Sequence, residues 1–314
     1  MFTAARKAVP CARLYEEYER NKTIRGARKL TFLGVEGFDV YNISVPFVYG
    51  GKTCIAGRVE KRGTQWSSVR LFERVSGDTY AAAFPDTVFK HFQDPFVTFI
   101  GDELVLGGVQ IQGDPLSPRR IVSWHTCLYK GTGPGTLRML AIGPSHMKDI
   151  RLCALHDGRV AAFTRPQGRK GGRGRIGFML FDSLDAVNGE DMLSANIYSS
   201  HFLPEEWGGA NDVHLLSNGL LGVIGHIARR DEQGLHYYPM CFVLDPGTGK
   251  HSPVTIVAGR ADFPPGPSKR TELKDVLFTA GIKRNKDGTA TLYTGMSDCQ
   301  AGCAQIADPF LSFE

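Results

Sequence analysis

The chain has 314 residues, 42% of them apolar and 22% charged, with a net charge of +5 and a pI near 8.8. These proportions exclude a mostly disordered chain, and no run reaches the 18 consecutive apolar residues of a membrane span. The mild basicity favours anionic ligands but is too weak to imply nucleic acid. With 37 glycines and 17 prolines, the chain is punctuated too often for a helical bundle and fits short strands joined by turns.

In chain order, residues 1–30 carry Leu14, Tyr15 and Tyr18 with basic residues between them. They are expected to form an N-terminal helical extension packed outside the main body. Glu16, Glu17 and Glu19 follow the first basic residues, and no apolar region precedes them, so the segment makes a poor targeting signal. A cytoplasmic protein is expected.

From residue 31 to 314 one pattern recurs five times. A strand opens on polar residues, a tight turn rich in Gly, Asp or Asn follows, and an apolar strand returns to a polar end. The turns are Gly50-Gly51, Gly101-Asp102, Asp157-Gly158, Asn218-Gly219 and Asp287-Gly288. Such dipeptides supply the positive φ that hairpin turns require. Their spacing, about 51 to 69 residues, is the length of a four-stranded blade with its loops. The expected fold is all-β, a five-bladed β-propeller in which each blade buries its faces against its neighbours.

Seven cysteines, most of them inside apolar runs, read as reduced, buried thiols. Cys299 and Cys303 stand as C-x3-C with no second pair and no histidine partner, so no structural zinc site is expected.

A propeller brings the polar heads of its inner strands to one rim of the axis. That rim is expected to collect Asn42, Asp94, Lys148, Asp149, Asn211, Asp212, Arg58, Arg165, His226 and Asp298. Gln110, at the end of the second return strand, joins the sugar-binding set. A polar set converging on a concavity is the default site. Asp94 is expected to be a general acid whose pKa is raised by confinement. Arg58, Lys148, Arg151, Arg165 and His226 together would make an anion cradle, with Glu60 and Asp149 as local ion partners. The run Gly168–Arg175 is expected to be a mobile basic loop over the mouth, and Trp207 the tryptophan that would stack on a sugar.

The frames Asn42…Arg58-Val59-Glu60, Asp94-Pro95, Lys148-Asp149…Arg165-Pro166, Gly225-His226 and Tyr293…Asp298 resemble glycoside hydrolase family 130, five-bladed mannoside phosphorylases. The runs Tyr41–Phe47 and Phe163–Gly168 are closer to glycosyltransferase family 108, the β-1,2-mannosyltransferase/phosphorylases of trypanosomatid mannogen metabolism. The resemblance spans about residues 35–305. It implies that Asp94 protonates the glycosidic oxygen through the sugar's 3-hydroxyl. It implies that Asn42, Arg58 and Asp298 hold the mannosyl unit, and that Lys148, Arg165 and His226 hold phosphate. Phosphate would then displace the glycan with inversion and give α-mannose 1-phosphate. No base is needed, because phosphate is already a nucleophile, whereas an inverting hydrolase would need a second carboxylate.

Two departures bear on this. Trp207-Gly208-Gly209-Ala210-Asn211-Asp212 stands where the phosphorylases place a lysine, and Lys148 stands where an arginine is usual. They leave room for GDP-mannose as donor, whose diphosphate also needs a basic rim. The expected function is therefore β-1,2-mannan phosphorolysis, with β-1,2-mannooligosaccharide, inorganic phosphate and mannose 1-phosphate as partners. The alternatives are a GDP-mannose-dependent transferase and a non-catalytic glycan- or protein-binding propeller. No cofactor, metal, nucleic acid or membrane is expected to take part.

Overall fold

The computed structural model describes residues 2–114 and 117–314, and is nearly all-β. Its one long helix, α1 (Cys11–Asn21), turns Cys11, Leu14 and Tyr18 inward at helical spacing. Each buried side chain of this size contributes roughly 1.5–3 kcal/mol. Tyr15 stacks on Tyr238 at 4.2 Å, and the Tyr18 hydroxyl donates to Asp262 at 2.5 Å. No helix among the described residues is long and apolar enough to cross a membrane.

Among the described residues the strands form four hydrogen-bonded sheets. The first centres on Lys52–Glu60 and Ser67–Ser76, and the second runs from Phe92–Ile100 to Arg138–Ile142. The third runs from Arg151–Ala154 to Asn196–Ile197. The fourth joins two antiparallel units through a short parallel pairing of His236 with Asp275 and Tyr237 with Val276. All five hairpins expected from the turn dipeptides form, as shown by the pairings across Gly50-Gly51, Gly101-Asp102, Asp157-Gly158, Asn218-Gly219 and Asp287-Gly288. Gly158 and Gly219 take φ of 87° and 84°, a conformation that a Cβ would strain.

Within the stretch expected to be a helical extension, Arg25–Lys29 is a strand that pairs with Gln300–Ala307 and so joins the chain's beginning to its end. All seven cysteines are buried and unpaired.

Apolar side chains fill the spaces between neighbouring sheets in five clusters. Phe47, Leu71, Phe92 and Leu106 join the first sheet to the second, and Phe96, Val105, Ile150 and Phe181 join the second to the third. Phe163 and Phe178 meet Val223 and Tyr238, whose unit packs in turn on Leu277, Leu292 and Phe310. Ile43, Ile55, Tyr293 and Ala301 return to the first sheet.

Asn42, Asp94, Asp149 and Asp298 all have positive φ, between 44° and 59°. Asn and Asp tolerate this left-handed region better than other side chains. The strand expected from Tyr41 to Phe47 breaks at Asn42, leaving Asp39–Tyr41 and Phe47–Tyr49 as separate strands. Register shifts also occur opposite Asp94 and at Asn211. A bulge of this kind re-aims a side chain out of the sheet.

A Cβ at Gly107 would lie 2.1 Å from the Phe96 ring and 2.9 Å from Leu128. Gly107→Ala should therefore lower unfolding stability by about 1–3 kcal/mol, read as a lower denaturant midpoint at unchanged slope.

Candidate active site

A polar cavity of about 250 Å³ lies beside these irregular positions. Asn42, Arg58, Asp94, Lys148 and Asp298 line it, together with Gln65, Gln93, Tyr237, Lys269 and Phe278. Five of the residues expected at one rim thus share one cavity wall.

Arg58 organises the sugar-sized end. Its Nη1 donates to Oδ1 of Asp94 at 3.1 Å, and its Nε and Nη2 donate to Oε2 of the buried Glu60. The guanidinium lies 4.8 Å from the centre of the Tyr41 ring. Asn42 Nδ2 also donates to Oδ1 of Asp94, at 2.8 Å. Burial alone would raise the pKa of Asp94, but Arg58, Lys148 and the Asn42 amide outweigh it and hold the carboxyl below its ordinary value. The raised pKa expected for Asp94 is therefore corrected: the free protein keeps it as a carboxylate, because confinement here came with compensating donors.

Asp298 differs. Among the described residues no donor bonds to its carboxyl, and burial raises its pKa, helped by Asp94 and Glu60 and opposed by Arg58 and Lys269. Its free lone pairs suit it to accept hydroxyl groups.

Arg165, His226, Asp149 and Asn211, each 1–3% exposed, lie beside this cavity, whose lining rings Tyr237 and Phe278 are 5.6 and 5.1 Å from His226. Arg165 Nε donates to the Gly208 carbonyl, and its Nη1 is 3.3 Å from Asp149. A Cβ on Gly209 would sit 2.9 Å from Arg165, 3.1 Å from His226 and 3.2 Å from Asp149, so these three side chains converge on one glycine. Asn211 Oδ1 is 2.7 Å from His226 Nδ1. Burial pushes the His226 pKa down to about 3, so its ring is neutral at pH 7. A carbonyl oxygen only accepts, which places the ring proton on Nδ1 and leaves a lone pair on Nε2.

One buried donor in this corner, Asn211 Nδ2, has no hydrogen-bond acceptor, and Arg165 Nη1 makes no hydrogen bond, facing only its ion partner Asp149 at 3.3 Å. Lys148, on the cavity wall, makes no ion pair among the described residues. Buried donors left without acceptors are rare in folded proteins, and together with a cation they mark a place for an anion.

Two residues expected at the rim are elsewhere. Gln110 gives its amide to the Lys90 and His91 carbonyls and serves the second sheet. Asp212 accepts from the Ile282 amide and His214, because the bulge at Asn211 turns the next side chain away. Arg151, expected in the cradle, donates to the carbonyls of Asn211 and Ile150 and lies over the Phe96 ring.

The basic run is anchored rather than loose. Lys170 donates to Leu193, Arg175 donates to Ser199 and Phe202, and Arg173 lies 4.1 Å over the Trp207 ring. Trp207, whose indole donates to Tyr237, thus has a protein partner where a sugar was expected. Trp124 instead lines a second cavity of about 520 Å³, which shares Gln65, Gln93 and Lys148 with the first. Lys269, Tyr237 and Phe278 carried no signal in the repeat pattern. Lys269 follows the Pro-rich run Pro264-Pro265-Gly266-Pro267 and precedes Arg270, and a cation pair beside stiff backbone was the only available hint.

A family profile described as "Protein of unknown function (DUF1861)" matches residues 16–312. No curated protein sequence matches the chain. Among solved structures, the chain is similar to MPT-4, a mannose phosphorylase from Leishmania mexicana determined with a phosphate ion. The two are 38% identical with a TM-score of 0.89, over 95% of this chain and 93% of that one. It is also similar to MPT-1, a GDP-Man-dependent mannosyltransferase from the same organism, at 33% identity and a TM-score of 0.88 over 96% of both chains. A β-1,2-mannobiose phosphorylase from Listeria innocua shares the fold at 14% identity and a TM-score of 0.61, over 88% of this chain and 93% of that one.

His226 should show the 15N shifts of a neutral, Nδ1-protonated ring throughout pH 7 to 5. The unfolded chain takes up a proton below about pH 6.5, the folded site only near 3. This group's contribution to stability is therefore present above 6.5 and is lost as pH falls towards 3, and melting temperatures of the wild type and His226→Asn should converge on acidification.

Proposed function

This chain belongs to the DUF1861 family, and we propose that it is an inverting β-1,2-mannan phosphorylase, transferring mannose between a β-1,2-mannooligosaccharide and inorganic phosphate. The observation that carries this reading is a donor-rich corner, with Asn211 Nδ2 lacking an acceptor and Arg165 Nη1 facing only Asp149, beside a carboxylate-lined cavity that bears Lys148. The relatives that act on mannose support it. In this reading residues 31–314 are a catalytic propeller, and the five antiparallel units faced by five apolar clusters are its blades. Residues 1–30 are an extension whose strand Arg25–Lys29 closes the last blade.

Monohydrogen phosphate suits that corner. Its oxygens accept from Arg165, Asn211 and Lys148, and its one hydroxyl can donate to the lone pair on His226 Nε2. Asp149 fixes Arg165 from behind. The mannosyl unit lies above, with its hydroxyls on Asp298, Asn42 and Arg58, and the departing chain runs into the second cavity beside Trp124.

A phosphate oxygen attacks the anomeric carbon from below as the bond to the departing oxygen breaks. Asp94 supplies that oxygen's proton through the sugar's 3-hydroxyl. It must be protonated to do so, although the free site keeps it ionised. A bound phosphate dianion offsets the charge of Lys148 and so raises the proton affinity of Asp94. The attacking phosphate's own proton then replaces the one given up, and the products are α-mannose 1-phosphate and a glycan shorter by one unit. In the reverse direction the ionised carboxylate is already the base required.

A GDP-mannose-dependent transferase remains the second reading, favoured by the likeness to MPT-1 and by a cation-rich corner that suits a diphosphate equally.

Incubated with β-1,2-mannooligosaccharides, the protein should release mannose 1-phosphate only when phosphate is present. Release of free mannose without phosphate, or turnover with GDP-mannose alone, would overturn the phosphorylase reading. Asp94→Asn should lower kcat by about 10²–10⁴-fold. Arg165→Ala should raise KM for phosphate at least tenfold, leaving glycan binding unchanged.

A further inference from the structure

Glu60 is the most enclosed charge near the cavity, its side chain wholly buried at the end of Lys52–Glu60. One oxygen, Oε2, takes both Nε and Nη2 of Arg58, at 3.1 and 2.5 Å. The other, Oε1, takes Lys269 Nζ, which also reaches the Tyr41 hydroxyl at 3.1 Å. With two of its nitrogens held by Glu60, Arg58 presents Nη1 to Asp94. Lys269 comes from the connection 264–274, and its neighbours Arg270 and Leu273 line the same cavity. A backbone bond from Lys269 to Ser297 and a thiol contact from Cys299 to Pro267 tie that connection to the segment bearing Asp298.

We propose that Glu60 is a positioning residue that acts on Asp94 through Arg58, and that Lys269 couples this action to the cavity wall formed by connection 264–274. Glu60 divides the guanidinium between two carboxylates, so Asp94 receives only part of its charge. Other charges facing Asp94 are Lys148, which favours its ionised form, and Asp149, which opposes it. Asp298 is also close, itself acted on by Arg58, Lys269, Glu60 and Asp94. Removing the charge of Glu60 frees Arg58 for Asp94 and makes protonation of Asp94 harder. Removing the charge of Lys269 strengthens Glu60's hold on Arg58 and makes protonation easier. The consequence for catalysis rests on the reading of Asp94 as the proton donor; the electrostatic coupling does not.

The test compares Glu60→Gln, Lys269→Met and the double variant. The direct readout is titration of the Asp94 carboxyl by 13C NMR, assigned with Asp94→Asn, which needs no turnover. Glu60→Gln should lower the Asp94 midpoint by about half a unit or more, Lys269→Met should raise it, and the double variant should return near wild type. In phosphorolysis the alkaline limb of the kcat profile should move the same way in each variant, with KM for phosphate unchanged. If Glu60→Gln does not fold, because Arg58 and Lys269 are left as buried unpaired charges, the upward shift in Lys269→Met decides. An unmoved Asp94 midpoint, or shifts of the same sign in both single variants, overturns the proposal even if stability falls. Shifts of the expected signs in a protein that transfers no mannose would uphold the coupling and overturn the phosphorylase reading instead.

Discussion

Charge buried in the site of this protein has to be matched, and among the described residues the matching is incomplete at the Asp298 carboxyl and in the corner of Arg165 and Asn211. Arg58 is shared by Glu60 and Asp94, Lys269 is held by Glu60, and Asp149 stands against Arg165. Breaking such buried pairs costs several kcal/mol because the remaining charge has no water. In the corner of Arg165 remain Lys148, which makes no ion pair among the described residues, and the Asn211 amide, which has no acceptor. The surplus is positive and donor-rich, so the missing partner is an anion. The lone pair on His226 refines this to an anion with one proton to give.

The backbone produces this arrangement. The chain is irregular where the site forms: a strand ends at Tyr41 before Asn42, the strand Phe92–Ile100 bulges at Asp94, Asp149 precedes Arg151–Ala154, and Asp298 sits in the turn between Thr289–Met296 and Gln300–Ala307, all four at positive φ. Residues held in the left-handed region cost about 1–3 kcal/mol each and persist only where packing fixes them. Asn42, Asp94 and Asp298, at these irregular positions, line the shared cavity. Neighbours are separated as well: at 148 and 149 the lysine lines the cavity and the aspartate lies beside it.

Much of this was legible in the sequence. Gly at the hairpin turns is demanded by positive φ, so the turns and the apolar runs beside them located every central hairpin. Asn42, Arg58, Asp94, Lys148 and Asp298 were legible because they occupy matching places in the repeat. Asp212 was misjudged because a one-residue bulge at Asn211 reverses the face of the next side chain, and alternation does not record bulges. The side-chain bond from Gln110 to the Lys90 and His91 carbonyls is equally local. The proton state of Asp94 was misjudged because burial was weighed without the donors that chain folding brings from elsewhere. Lys269 lies 209 residues from its partner Glu60, in a connection outside the repeat, and no local pattern announces it.

The central claim is that the donor-rich corner beside the cavity is a seat for phosphate. A crystal structure of the protein soaked in inorganic phosphate tests it most directly. The account predicts one tetrahedral anion within hydrogen-bond distance of Arg165 Nη1, Asn211 Nδ2 and Lys148 Nζ. Phosphate bound away from these three groups would contradict it.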